Sequence, residues 1–423
     1  VTGHPTAMSG LRGLLGLAFL LLVALAVSKN RRGVSWRTVG VALLLQAGFA
    51  VAVLRWGPGK AALQWVSDRV AELVAYTNDG TTFVFGPVTA VGDENETIFA
   101  LQVLPVIIFL GALIGLLYYL RVVQWATWLI GGSLSWLLRI TKVESMYGAT
   151  VIFLGQSEAP LMIAPYLRSL RRNQLFTVMA CGFAAAAGST LVGYSLLGAP
   201  LEYLLAATVM NAPASLLMAK LMWPDGTEDD DELELEHPDR DIDVRSVRDK
   251  ESSNPIDAIG RGALAGGRIA VTVGALLIAF VALIAMANGI LGAVGGWFGV
   301  EDLTFQEILG WALSPLAWLL GVPWSEATDA GAWIGEKTIL NEFYAYASFG
   351  PHVEDLSSIT VVVVTFALAG FANLTSIAVQ IGTLGSLVPE RRAVVAKLGL
   401  YALLAGALAN LSNAAIAGVV VSL

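Results

Sequence analysis

The chain has 423 residues, 56% of them hydrophobic and only 14% charged, with a mean hydropathy of +0.70. Soluble globular proteins run about half apolar and a quarter charged, so this balance argues against a water-soluble enzyme or a nucleic-acid-binding protein and for an all-α polytopic membrane protein in a lipid bilayer. The net charge of −8 does not indicate an acidic partner, because most of it is concentrated in one loop.

In chain order, apolar runs of about 20 residues, the length that crosses a bilayer, predict eight transmembrane helices near 10–28, 38–56, 97–120, 174–197, 201–222, 268–295, 358–387 and 394–422. The first lacks a basic start and is followed by Lys29, Arg31 and Arg32 instead of a small-residue cleavage site, so no cleavable signal peptide is expected. The first three spans and an interfacial helix form a scaffold over 1–120. Gln124 to Ile140 carries Trp125, Trp128 and Trp136, and Leu309 to Trp324 carries Trp311, Trp318 and Trp324. Such aromatic, amphipathic stretches lie in the interface plane. Cys181 sits in an apolar run as a small hydrophobe.

Short loops near span ends set orientation through Lys and Arg. Lys29, Arg31, Arg32 and Arg37 place the first connection in the cytoplasm. Arg121, Arg139, Lys142, Arg168, Arg171 and Arg172 do the same for both flanks of 141–172, as do Arg391, Arg392 and Lys397 for the last connection. Both termini then face outside, as does 57–96 with Asp68, Glu72, Asp79, Asp93, Glu94 and Glu96. The segment 223–267, opened by the run Asp229-Asp230-Asp231-Glu232, reads as an acidic, solvated cytoplasmic loop. A long scaffold span over 268–302 follows it.

Two stretches are too short and too broken to span. Thr141 to Arg172 begins and ends with basic residues on one side and has Gly155 and Pro160 near its middle, which predicts a re-entrant hairpin from the cytoplasm. Pro323 to Gly350, with its turn near Thr338 to Asn341, predicts a hairpin from the opposite face. Irregular backbone at such depth needs protein or a water-filled cavity to receive its polar groups. Each hairpin carries a carboxylate, Glu158 in one and Glu342 in the other, and a carboxylate at membrane depth marks a substrate or ion path.

The order interfacial helix, hairpin, span, span occurs over 121–222 and again over 303–423, with opposite orientation. Glu158 is followed 31 residues later by Ser189, and Glu342 31 residues later by Asn373. Each hairpin thus precedes a helix with a small, polar centre. Inverted repeats with broken helices meeting at the midplane are the architecture of secondary transporters.

Gly155-Gln156-Ser157-Glu158-Ala159-Pro160, Asn341-Glu342-Phe343-Tyr344-Ala345-Tyr346 and Gly370-Phe371-Ala372-Asn373-Leu374-Thr375-Ser376-Ile377 resemble the signature segments of the concentrative nucleoside transporters. Met210-Asn211-Ala212-Pro213-Ala214 and Gly188-Ser189-Thr190-Leu191 are similar to further segments of that family. The resemblance implies a homotrimer in the plasma membrane, with nucleosides, uridine-like or purine, taken up by symport with a cation through an elevator movement. No other cofactor is implied.

Chemistry and resemblance together give each residue a role. Gln156, by its amide, Ser157, by its hydroxyl, and Glu158, as an acceptor, suit the edge of a nucleobase. Glu342 suits the vicinal hydroxyls of a ribose, with Asn373 and Ser376 as neutral partners and Phe371 as an apolar contact. The resemblance further implies a sodium site from the backbone at Val151 and Leu154 with Ser189 and Thr190, although sodium-dependent members commonly have Asn where this chain has Val151. Proton coupling through Glu342 is the competing reading.

Structural alternatives exist for each residue. Gln156 and Ser157 can satisfy hairpin backbone, Glu158 and Glu342 can pair with Lys142 or Lys337, and Asn373 or Ser376 can bridge helices. A membrane-embedded enzyme using Glu158 and Glu342 would need a nucleophile–base motif or a metal cluster that the sequence lacks. His4, His237 and His352 fall near a terminus or in loops, and Gly260 to Gly267 has no phosphate-loop sequence.

Overall fold

A computed structural model describes residues 7–86, 88, 98–226, 244–249, 251–297, 299 and 303–423. All regular structure among the described residues is helical. The run Asp229-Asp230-Asp231-Glu232 lies outside the described residues, as do His4, His237, Asp93, Glu94 and Glu96.

The chain opens with two apolar helices, α1 (Ala7–Ala26) and α2 (Trp36–Leu54), the second capped by Ser35, whose hydroxyl accepts from Thr38 N. α3 (Gly57–Ala75) and α4 (Thr77–Phe85) follow in the stretch read as facing outside, and α5 (Phe99–Gln102) leads into α6 (Leu104–Tyr119). α7 (Val122–Leu138) is flanked by Arg121 and Arg139, both in the left-handed region with φ of 63° and 52°. These residues turn the chain sharply at each end, and Trp125 and Trp136 stay exposed on the helix between them.

The stretch read as the first hairpin comprises α8 (Lys142–Thr150), an irregular turn over 151–158 and α9 (Ala159–Met162). α10 (Arg172–Ala184) and α11 (Gly188–Leu196) form one apolar run interrupted at 185–187, and α12 (Leu201–Met222) follows. α13 (Pro255–Trp297) has 43 residues. It starts at Pro255, inside the segment read as loop, because Asn254 Oδ1 accepts from Asp257 N and proline fits a first helical turn. α14 (Phe305–Leu319) starts at a capping box formed by Thr304 and Glu307, and α15 (Trp324–Ile339) departs from it at 116°. α16 (Glu342–Phe349) folds back on α15, with the Trp333 and Phe349 rings 5.1 Å apart. α17 (Ser358–Leu368), α18 (Leu374–Leu387) and α19 (Arg392–Ser422) complete the chain.

Among the described residues, seven helical runs are long and apolar enough to cross a membrane. They coincide with seven of the eight predicted spans. The eighth, 358–387, is two shorter helices, α17 and α18, separated by a non-helical stretch. Asn373 causes the restart: it is extended at φ −137°, ψ 161°, and its side-chain oxygen accepts from Ser376 N, which makes it the N-cap of α18.

The core lies where α10, α12, α17 and α19 pack together. The outer layer is α6 and α13, which cross closely through small residues: a Cβ on Gly262 would fall 2.4 Å from Gly111 O, and one on Gly266 2.6 Å from Ile107 O. Only 11% of the most apolar part of α13 is buried, against 94% for the run Arg172–Leu196. The core therefore surrounds the two interrupted helices.

Candidate functional site

Two helix breaks meet in this core. Phe371 N donates to Ala185 O at 2.9 Å, which joins the α17–α18 break directly to the α10–α11 break. The turn of the first hairpin lies on the same spot, since Gly188 N donates to Phe153 O at 3.4 Å. A Cβ on Gly155 would come within 2.9 Å of Ala187 Cβ and 3.6 Å of the Phe371 ring. The absence of a side chain at Gly155 lets the hairpin turn sit against both breaks.

On the side of the second hairpin, Glu342 opens α16 and is buried. Its two oxygens have separate donors: Asn373 Nδ2 at 2.8 Å and the Tyr194 hydroxyl at 3.1 Å. Tyr194, from α11, is positioned by aromatic packing, with Tyr346 stacked on it and Phe343 edge-on, both at 4.7 Å. Lys337 forms no ion pair with Glu342; its ammonium donates to Asn410 Oδ1 at 3.0 Å. Glu342 is thus a buried carboxylate balanced by two hydrogen-bond donors, a group suited to accept from ligand hydroxyls.

On the side of the first hairpin, Gln156 Nε2 donates to Ser376 Oγ at 2.9 Å and Gln156 Oε1 accepts from Gln380 Nε2 at 3.4 Å. Gln380 is itself held by donation to Met179 O at 3.0 Å. Gln156 therefore has a fixed amide plane, linked to the same helix α18 that Asn373 caps. Glu158 turns back on its own loop, where its Oε2 accepts from Gly155 N at 2.9 Å, and Ser157 is exposed on the turn.

The structure brings Gln156, Glu342, Asn373 and Ser376 into one hydrogen-bonded constellation, with Phe371 packed at the join of the breaks. Ser157 and Glu158 lie on the adjoining turn without a hydrogen bond to the other four. Val151 ends α8 and is buried, and Leu154 N bonds to Thr150 O, so both belong to the turn that touches the α10–α11 break. Ser189 and Thr190 start α11, and the Thr190 hydroxyl donates to Ala187 O at 2.9 Å. The four residues read as an ion site are neighbours through the bond between Phe153 and Gly188, and Val151 adds no side-chain oxygen to them.

Four polar residues not singled out from sequence complete the site: Tyr194, Gln380, Asn410 and Asn413. Asn410 and Asn413 stand three apart within the apolar helix α19, on one face. That spacing was the available signal. Asn410 Nδ2 reaches Ala184 O and Asn211 Oδ1 at 3.0 Å and Ala369 O at 3.2 Å, and Asn413 Nδ2 reaches Asn211 Oδ1 at 2.8 Å. Buried amides here satisfy backbone carbonyls that the helix breaks leave unpaired. No cluster of His, Cys, Asp and Glu suited to a metal occurs among the described residues.

Comparison with known proteins gives a family. Residues 203–418 match the family described as Na+ dependent nucleoside transporter C-terminus, residues 15–88 its N-terminus, and residues 100–201 the family described as nucleoside recognition. The chain is 49% identical to the uncharacterized transporter YutK of Bacillus subtilis, an alignment covering 97% of this chain and 99% of YutK. It is 41% identical to the nucleoside permease NupC of Helicobacter pylori, covering 98% and 99%. The structure of CNTnw in an inward-facing substrate-bound state superposes with a TM-score of 0.90 at 44% identity, covering 97% of this chain and 98% of CNTnw.

Proposed function

Since the chain belongs to the Na+ dependent nucleoside transporter family, whose members are transporters and not enzymes, we propose that it imports nucleosides across the plasma membrane by symport with a cation. One observation carries the reading: Glu342, with Asn373 and Tyr194 as donors, is linked through Asn373 and Ser376 of α18 to Gln156, where two helix breaks meet. A ribose presents vicinal hydroxyls that Glu342 accepts, with Asn373 and Ser376 as neutral partners and Phe371 as an apolar contact. A base presents amide-like edges that Gln156, Ser157 and Glu158 read.

The same arrangement supports an elevator-type transport cycle. The hairpins over 141–172 and 323–350 enter from opposite faces as parts of an inverted repeat, and they move with the broken helices as one body, carrying the site past a fixed scaffold. Both termini face outside and the acidic loop faces the cytoplasm. The scaffold assembles as a homotrimer through the outer layer.

For the coupling ion, the backbone at Val151 and Leu154 with Ser189 and Thr190 forms the sodium reading. Val151 favours a second reading, proton coupling, because its side chain has no ligand oxygen. Uridine uptake into proteoliposomes tests both. Accumulation above the external concentration supports a coupled carrier, and equilibration without accumulation overturns it. Undiminished uptake in sodium-free buffer that follows an imposed proton gradient overturns sodium coupling.

A further inference from the structure

Lys337 is buried in the protein interior, and the transport roles above leave it without a task. Its ammonium donates to Asn410 Oδ1 at 3.0 Å. Beyond Asn410 lie two helix C-termini: α10 ends at Ala184 and α17 at Leu368, with Ala369 as its cap. The Asn410 amide donates to Ala184 O and Ala369 O, and Asn211 Nδ2 donates to Ala369 O at 2.7 Å. A helix C-terminus carries about half a negative charge on its unpaired carbonyls, and two such ends converge on this amide. A protonated Lys337, held on Asn410 Oδ1, sets one positive charge beside both ends.

We infer that Lys337, acting through Asn410, is a positioning residue that holds the two helix breaks together and so sets the placement of the ribose-side residues. The path to the site is short. From Ala369, held by Asn211 and Asn410, the chain passes Gly370 to Phe371, which is fixed by Ala185 O, and then to Asn373, whose amide meets Glu342. Gly370 has no room for a side chain beside the network, since a Cβ there would lie 2.3 Å from Asn410 Oδ1 and 2.7 Å from Ala184 O. Removing the ammonium leaves Asn410 Oδ1 without its cation and the two helix ends uncompensated. The stretch 369–373 then loses its fixed register against 184–187, and Asn373 shifts relative to Glu342.

This inference rests on the proposed assignment of Glu342 and Asn373 to ribose, and the test uses ribose discrimination as its readout. The KM values for uridine and 2′,3′-dideoxyuridine are measured in proteoliposomes for the wild type, Lys337→Met and Lys337→Arg. The expected result is that Lys337→Met reduces the wild-type preference for uridine at least fivefold, whereas Lys337→Arg retains at least half of it. If Lys337→Met yields no folded protein, Asn410→Asp replaces it: the carboxylate still receives the ammonium but cannot donate to Ala184 O and Ala369 O, and the same loss of preference is expected. A variant with lowered maximal uptake and an unchanged KM ratio overturns the inference and leaves Lys337 a packing residue. A wild type that takes up uridine and dideoxyuridine with equal KM overturns the ribose assignment, and the inference with it.

Discussion

The side-chain amide of Asn373 donates to Glu342 at 2.8 Å while its oxygen accepts from Ser376 N at 2.8 Å. One residue thus caps α18 and grips the second hairpin, whose carboxylate lies 31 residues earlier in the chain. The N-terminal end of α18, where backbone N–H groups and the helix dipole favour negative charge, is thereby tied to the buried Glu342. Two neutral side-chain donors, Asn373 and Tyr194, stand where a direct ion pair would otherwise hold this buried carboxylate.

Glu342→Gln keeps the shape but replaces an acceptor-only group with an amide whose NH2 faces one of two donors, Asn373 or Tyr194. The charge-assisted bonds proposed to the sugar are lost at the same time. Hydrogen bonds to charged groups contribute about 1.5–3 kcal/mol, so uridine uptake at subsaturating substrate is expected to fall roughly 10- to 150-fold. Initial-rate uptake of labelled uridine measures this, and wild-type kinetics in the variant would refute the assignment.

Gln156→Ala removes a neutral amide that bonds Ser376 and, in the proposed pose, the base. A neutral hydrogen bond contributes about 0.5–1.5 kcal/mol, which predicts a change of roughly 2- to 12-fold in the ratio of purine to pyrimidine affinity. Competition of unlabelled nucleosides against labelled uridine measures the ratio. An equal loss for every nucleoside would mean that Gln156 supports the hairpin and does not read the base.

The helix interruptions were legible because composition changes within an apolar run: Gly188-Ser189-Thr190 and Gly370 to Ser376 place small and polar residues where a continuous span would have Leu or Val. The carboxylates were legible because charge at membrane depth is costly. The network behind them was not. Asn410 and Asn413 lie in a run of Leu, Ala and Val that satisfies the span template, and their partners Ala184 and Ala369 are carbonyls of ordinary residues, identified only once the breaks are built. The helical start of α13 at Pro255 was hidden for another reason. Its first turns carry Asp257 and Arg261, charged residues that resemble the preceding loop, and the apolar signal begins later.

A buried ion pair fixes the start of the first hairpin. Lys220 in α12 meets Glu144 in α8 at 2.7 Å and Asp225 at 2.6 Å, and Asn173 at the start of α10 donates to Asp225 at 2.7 Å. Removing one partner of such a pair leaves an uncompensated buried charge and costs about 3–5 kcal/mol. Lys220→Met is therefore expected to lower the thermal midpoint of the purified protein sharply, and adding Glu144→Gln to recover a part of that loss. A double variant less stable than Lys220→Met alone would show that Glu144 is held by other groups.

Gly370→Ala tests the join of the helix breaks by volume alone. The added methyl would lie 2.3 Å from Asn410 Oδ1 and 2.7 Å from Ala184 O, distances that real Cβ atoms do not show, and one of these contacts is backbone. Overpacking of this kind costs about 1–3 kcal/mol. Gly382→Ala in α18 is the control, because nothing lies within 4 Å of a Cβ there, and alanine is the better helix former by about 1 kcal/mol. The expected outcome is a lowered thermal midpoint and reduced uridine uptake for Gly370→Ala, with both quantities unchanged or slightly raised for Gly382→Ala. Equal behaviour of the two variants would mean that the stretch 369–373 moves aside at little cost, and the close approach of Gly370 to Asn410 would then not govern the site.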